Sequence, residues 1–465
     1  MHRLPEHRRP PLSPAARLLP WVCLVLAACP ACAPQARDAA PPVTMPEAFS
    51  ATGTEAVPDR WWTALEDARL NALVDEALAG NLDLRVLWDR LDQSSAVARR
   101  EGAALLPSVD ATAGAARAAA GAKGARTVYA STFSAGLAAS YEVDLWGRVR
   151  ATVTAAELEA RATREDLAAA AMTLAAEVAG TWYRLVDLTG QIALLDEQVR
   201  TNEKYLELVT LRFHRGKVTA VDVLQQRQLV EATRAERVLA ESARQVLAHQ
   251  LAILVGRPPA AAVAGAEGAG ADGALPPLPP LPRTGLPADL IRSRPDVCSA
   301  FERLRAADHR VAAAVADRFP RISLSAGAET TAARVRDLFD NWVASLAANL
   351  AAPVFDGGRR EAEVERTRAV ASERLHAYGQ AVLDALREVE DALVQQRQQE
   401  QYLASLERQL DLASKATEQT RQQYVGGNLD YLRVLTALLS EQRLQRTRLQ
   451  ARRELVQFRI DLYRA

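Results

Sequence analysis

Residues 132–150, TFSAGLAASYEVDLWGRVR, change period partway along. Phe133, Ala135, Leu137, Ala139, Tyr141 and Val143 alternate with Ser134, Gly136, Ala138, Ser140, Glu142 and Asp144. That period of two belongs to a strand with one apolar face and one small or polar face. Beyond Gly147 the spacing becomes three and four: Leu167, Ala171, Leu174, Val178, Trp182, Leu185, Leu188, Ile192, Leu195, Val199, Asn202, Leu206, Val209, Phe213. No proline lies between Gly147 and Phe213, so one helix is predicted there, roughly 100 Å long at about 1.5 Å per residue. Its narrow seam predicts coiled-coil packing rather than the broad apolar face of a globular helix. A second helix is predicted over about residues 219–255, stopping at Gly256-Arg257-Pro258-Pro259.

The plan repeats. APVFDGGRRE, residues 352–361, again places a Gly-Arg pair behind an apolar run, and Gly147 and Gly358 lie 211 positions apart. Gly216 and Gly427 keep that offset, as do Val223-Leu224 and Val434-Leu435, which makes a tandem duplication the best explanation. The second half carries strands near 320–330 and 342–350, a long helix from Gly358 to Gly426 and a last helix over 431–463. A weaker strand covers 106–116, with amphipathic helices before it from Leu70 and over 82–104, and another helix over 296–317. The predicted organisation is residues 1–28 as signal peptide, 29–60 as tether, 61–259 as first repeat, 260–287 as a Gly-, Ala- and Pro-rich linker, and 288–465 as second repeat. The fold class is mainly α with a membrane β portion. Four strands of about 9–11 residues fit outer-membrane strands but cannot close a barrel, and an open edge in lipid leaves backbone groups unsatisfied. Several protomers must therefore share one barrel.

Composition excludes several classes. The 57 basic and 57 acidic residues are interspersed, so no basic stripe points to nucleic acid. Cys298 stands alone in the body of the chain, which leaves no disulfide framework and no CxxC pair for a metal. The six histidines include no HExxH and no pair at metal-ligand spacing, and no serine elbow is present. No catalytic residue, metal site or cofactor is expected. The basic leader ends in the short apolar run LLPWVCLVLAA, residues 18–28, too short to span a bilayer of about 30 Å. Leu26-Ala27-Ala28-Cys29 resembles a lipoprotein lipobox, which makes Cys29 the candidate lipid anchor; Pro30 after it implies the outer membrane.

Taken in order, WW at 61–62, ALAGNLDL at 77–84, LLPSVDAT at 105–112, YEVDLWGRVR at 141–150, RFHRGKVTAVDVL at 212–224, LVGRPP at 254–259, RSRPDV at 292–297, FPRISL at 319–324 and APVFDGGRR resemble the TolC-like outer-membrane efflux family, in particular its lipoprotein branch. The resemblance covers essentially the whole mature chain. It implies a homotrimer with a shared twelve-stranded β-barrel in outer-membrane lipid, a long periplasmic α-helical barrel, and the exit duct of a tripartite system fed by an inner-membrane pump through a periplasmic adaptor (membrane fusion protein). In that family, acidic residues early in the last helix narrow the periplasmic end. Here those positions hold Arg433 and Thr436; Asp430 is the nearest acid, and Asp222 stands in the first-half counterpart. Asp430 and Arg433, three apart, are expected to take part in closure with Thr436 and Asp222. Phe301 departs from the family's glutamate after RPDV, with Glu302 beside it. Gly147, Arg148, Gly358 and Arg359 are expected at strand-to-helix joints near the membrane boundary. A duct for type I protein or peptide secretion is the alternative. A periplasmic coiled-coil adaptor or scaffold is disfavoured, since it would carry one helical hairpin rather than two.

Overall fold

The computed structural model describes residues 41–56, 58–124, 126–259 and 275–465. The leader, Cys29 and most of the linker lie outside the described residues. Contacts divide the chain into two compact units.

One unit comprises residues 95–160 and 303–374. Its strands are β1 (Ser108–Ala120), β2 (Val128–Val143), β3 (Arg321–Ala332) and β4 (Trp342–Ala351). They form one antiparallel sheet in the order β1-β2-β3-β4, so β2 and β3, from different repeats, pair at its centre. Apolar residues share a face across all four strands: Ala111 opposes Leu137, Tyr141 opposes Leu324, and Ile322 opposes Leu350. That face is not buried within the chain: Leu137, Leu346 and Leu350 are exposed. Gly114 and Gly327 occupy equivalent places, each beneath a serine hydroxyl of the next strand, where an added Cβ would meet Ser134 Oγ at 2.9 Å and Ser345 Oγ at 3.3 Å.

The other unit comprises residues 41–94, 161–302 and 375–465. A single turn at Trp61–Leu65 precedes α1 (Ala68–Gly80) and α2 (Leu82–Gly102). Asp67 caps α1, accepting from the backbone N–H of Arg69 (2.9 Å) and Leu70 (3.1 Å), while its other oxygen accepts from Trp182 Nε1 at 2.8 Å. The long helices are α3 (Arg148–His214), α4 (Ala220–Leu254), α7 (Arg359–Val425) and α8 (Tyr431–Arg464), with α5 (Pro287–Ser293) and α6 (Pro295–Ala316) at the start of the second repeat. No described helix is long and apolar enough to cross a membrane.

The uninterrupted 67-residue α3 agrees with the proline-free run, but its buried face widens midway. Between Leu174 and Asp187 it is buried almost all round, including Ala175, Ala176, Val178, Ala179, Thr181, Trp182, Tyr183, Leu185 and Val186. Trp61, Trp62, Leu65, Leu70, Leu73 and Val74 pack with that stretch, together with Leu251, Val456 and Ile460 of α4 and α8. The apolar width there serves several partners at once, which a two-helix seam does not require.

Among the described residues Cys298 is a half-buried thiol outside any disulfide, and no group of three or more His, Cys, Asp or Glu side chains could hold a metal ion. Phe301, the departure from the family motif, packs against the Tyr378 ring with centroids 5.5 Å apart. The position that lacks the family's glutamate thus makes an aromatic contact instead.

Candidate functional site: strand-to-helix joints and hairpin tips

At the first joint, β2 passes to α3 through Gly147, whose φ of +75° is the left-handed conformation that glycine adopts without strain. Asp144 reaches past that turn to accept from the backbone N–H of Val149 and Arg150, each at 2.9 Å, satisfying donors at the open end of α3. Against the burial that opposes it, those N–H groups and the Arg150 guanidinium hold the Asp144 carboxyl below its ordinary value. Arg148 forms a two-pronged pair with Glu142, at 3.0 and 2.7 Å. The Trp146 ring stacks on Phe319, centroids 4.9 Å apart, and its Nε1–H donates to the Pro320 carbonyl at 2.7 Å. This fixes the β2–α3 joint against the turn that enters β3.

The second joint repeats the device. Gly357 and Gly358 have φ of +66° and +84°, and Asp356 accepts from the N–H of Gly358 (3.1 Å) and Arg360 (3.3 Å). Asp144 and Asp356 thus act as helix caps at the two joints. The ionic partner at the second joint is Arg360, not Arg359: it bonds Asp356 at 3.0 Å and Asp317 at 3.1 Å, while Arg359 is exposed. Arg360 chiefly, against slight burial, holds the Asp356 carboxyl below its usual range. An aromatic like Trp146 is absent here, and Val354 and Phe355 stand 96% and 92% exposed.

The hairpin tips lie in the other unit. Gly216 (φ +67°) turns α3 into α4 and Gly427 (φ +83°) turns α7 into α8, the same conformation at positions 211 apart. Val209, Val223, Tyr424, Tyr431, Val434 and Leu435 form one apolar cluster, so the two tips pack together. Arg212 clamps them, donating to the Val425 carbonyl at 2.8 Å with its guanidinium carbon 4.2 Å from the Tyr424 ring centroid.

Each predicted tip residue has a definite place. Asp222 belongs to a capping box with Thr219, its Oδ2 accepting from Thr219 N at 2.8 Å. Asp430 is the N-cap of α8, accepting from the backbone N–H of Arg433 at 3.1 Å. The expected one-face pairing of Asp430 and Arg433 is therefore made through the Arg433 backbone, because an N-cap aspartate turns its carboxylate onto the open helix end. The Arg433 and Thr436 side chains are exposed.

Above the tips lies a buried polar ladder. Asn202 of α3, Gln226 and Thr233 of α4, and Gln442 of α8 are buried and joined. Asn202 Nδ2 donates to Thr233 Oγ1 at 3.0 Å and Gln442 Nε2 donates to Asn202 Oδ1 at 2.9 Å. Gln226 Nε2 donates to the Asn202 carbonyl at 2.6 Å, and the Tyr431 hydroxyl bonds Gln226 Oε1. One turn on, Gln198 Nε2 donates to Gln445 Oε1 at 2.9 Å, and Arg446 donates to Gln198 Oε1 at 2.6 Å. Asn202 falls on the apolar seam, and a lone polar residue in such a seam is the one available signal of a register-setting contact.

A four-stranded sheet with an exposed apolar face and two open edges, joined to paired long hairpins, defines the class of outer-membrane ducts assembled from several copies. The family model described as "Outer membrane efflux protein" matches residues 73–257 and 286–465. The chain belongs to the outer membrane efflux protein family. It is 32% identical to the pyoverdine export outer membrane protein OpmQ of Pseudomonas aeruginosa over 95% of this chain and 94% of that one. It is 26% identical to the cation efflux system protein CusC of Escherichia coli K12, over 90% and 92%. Among solved structures, the outer-membrane channel OprN superposes with a TM-score of 0.83 at 28% identity, covering 92% of this chain and 97% of that one. The protein is an outer-membrane channel subunit, the exit duct of a tripartite efflux system; channels of this family are trimeric. The family is one of channels.

Proposed function

We propose that three copies of this chain form a passive duct for small molecules, handed on by an inner-membrane pump through a periplasmic adaptor and released across the outer membrane. The open four-stranded sheet carries this reading: its apolar face and unpaired edges suit lipid only when copies close the ring, and three copies supply twelve strands. Cys29 is proposed as the lipid anchor. The hairpin tips are proposed as the closing end, with Asp222 and Asp430 holding the first turns of α4 and α8, and with Arg433 and Thr436 left exposed to line the constriction. The relatives' names span pyoverdine export and cation efflux, so cargo is assigned here to the pump rather than to the duct. The test is the mass and fractionation of the full-length protein. A trimer in the outer-membrane fraction that conducts in planar bilayers, with palmitate incorporation abolished by Cys29→Ser, is expected. A monomer released with the soluble periplasmic proteins would overturn the reading.

A further inference from the structure

The two hairpins of the sheet are copies of one another, and they differ most at the end away from the long helices. Pro107 and Pro320 precede the first strand of each repeat and are 213 positions apart, whereas the strand-to-helix joints are 211 apart. Applied to the β1–β2 pair Arg117↔Ser131, these offsets give Thr330↔Trp342, which is an observed β3–β4 pair. Arg117 and Thr330 are therefore equivalent positions with different fates. Thr330 is buried and its hydroxyl donates to the Leu338 carbonyl. Arg117 is exposed, with its guanidinium carbon 5.3 Å from the Tyr129 ring centroid.

The register places Arg117 on the apolar face of the sheet, in line with Ala113 and Ala115 of β1 and beside Tyr129 and Phe133 of β2. Among the described residues it is the one charge that the four strands put on that face, for Asp110, Glu142, Arg321 and Glu329 all lie on the other. Tyr129 and Tyr141 share the apolar face 12 residues apart. At about 3.3 Å per residue and a tilt of about 40°, that separation is roughly 30 Å along the membrane normal, the thickness of the hydrocarbon. Tyr141 lies toward the joint with α3, so Tyr129 and Arg117 stand at the opposite, outer interface.

Beyond them the β1–β2 turn adds Lys123 and Arg126, both exposed. No acidic residue occurs between Asp110 and Glu142, and β1 is an edge strand whose neighbour in the chain is β2, so this hairpin offers its cations no carboxylate near the turn. The second hairpin is balanced instead: Asp337 and Asp340 stand among Arg334 and Arg336, and Arg336 pairs with Asp337 at 3.2 Å.

We propose that Arg117, Lys123 and Arg126 bind phosphates of lipopolysaccharide in the outer leaflet, with Arg117 as the fixed contact, held by the Tyr129 ring at the edge of the apolar face. The proposal rests on the reading of this sheet as a membrane wall. Stacking on a ring leaves the N–H edge of a guanidinium free for two bonds to one phosphate. An arginine facing lipid is costly in hydrocarbon and matched in charge only at the phosphate level. The height of the other two cations selects the lipid. Lys123 is six residues beyond Arg117, up to about 20 Å along the strand and about 15 Å along the normal. A phospholipid headgroup layer is only about 5–8 Å deep, whereas a phosphorylated saccharide headgroup extends further outward.

The full-length trimer, purified in detergent and titrated with rough lipopolysaccharide under native mass spectrometry, tests this. Wild type is expected to bind it, Arg117→Gln to bind about 5-fold more weakly, and Arg117→Gln/Lys123→Gln/Arg126→Gln about 100-fold more weakly. Arg117→Lys should stay close to wild type, and Arg334→Gln/Arg336→Gln should match it. Dephosphorylated lipopolysaccharide should not distinguish wild type from the triple variant. Equal affinity of wild type and triple variant for the phosphorylated lipid overturns the proposal. So does phosphatidylglycerol that binds wild type as tightly and loses as much in the triple variant, since any lipid phosphate would then serve. An outer-membrane trimer that fails these tests loses the lipid site alone, whereas a soluble monomer sinks the duct reading with it.

Discussion

Asn202→Leu is the sharpest probe of the polar ladder. It removes the bonds to Thr233 (3.0 Å) and from Gln442 (2.9 Å), together with a weaker one to Gln442 Oε1 (3.4 Å), at a residue with no solvent exposure. Thr233 keeps its bond to the Leu229 carbonyl at 2.8 Å, so it is not stranded. Gln442 is 4% exposed and loses a side-chain partner at both ends of its amide. An unsatisfied buried polar group costs about 1–3 kcal/mol, so the single variant should lose about 3 kcal/mol. In Asn202→Leu/Gln442→Leu both partners are apolar, which is nearly neutral, and about 2–3 kcal/mol should return as coupling. For a cooperative unit of about 150–250 residues, 3 kcal/mol corresponds to a fall in Tm of roughly 6–12 °C. Differential scanning fluorimetry of the purified protein at one fixed scan rate reads this. If the double variant melts as low as the single one, Gln442 is not stranded and the reasoning is refuted.

Burial pushes the Asp187 carboxyl up to about 6, with Arg453 (Nε 3.9 Å away) and Gln191 opposing. The folded chain therefore holds a proton that the unfolded chain releases near 3.8, and stability falls as pH rises from about 4 to 6. Asp187→Asn should raise stability by about 2 kcal/mol at pH 7.5 and change little at pH 4, read as Tm against pH; equal shifts at both values would contradict the assignment. Arg212→Ala removes the clamp on Val425 and Tyr424, worth about 1–2 kcal/mol per protomer, and should raise the open probability of the tip roughly 5- to 30-fold in planar bilayers. Unchanged conductance would show that the clamp does not hold the tips. Gly256→Ala places a Cβ 2.3 Å from the Gly80 carbonyl oxygen at φ +80° and should cut folded yield severely. Gly216→Ala, also left-handed but with open space around it, should cost only about 1–2 kcal/mol by urea melt.

The sequence alone determined the elements and their repetition. A change of period from two to three-and-four is a local property, so the strands, the 67-residue helices and the glycine turns at 147, 216, 358 and 427 were legible without knowing any partner. The 211-residue offset likewise needed only the chain. Tertiary structure decided which groups meet. Asp144, Asp356 and Asp430 each close the open N–H groups of a helix, a role set by the backbone conformation before the first turn. Arg360 rather than Arg359 takes the ionic position, because Asp317 arrives from the turn after α6, which the local pattern does not encode. Asn202 and Gln442 are 240 residues apart, and Arg212 and Val425 are 213 apart. A polar side chain in a seam announces that it needs a partner, but only the packing of α3, α4 and α8 supplies one, since hydrogen bonds are satisfied in space and periodicity is written along the chain.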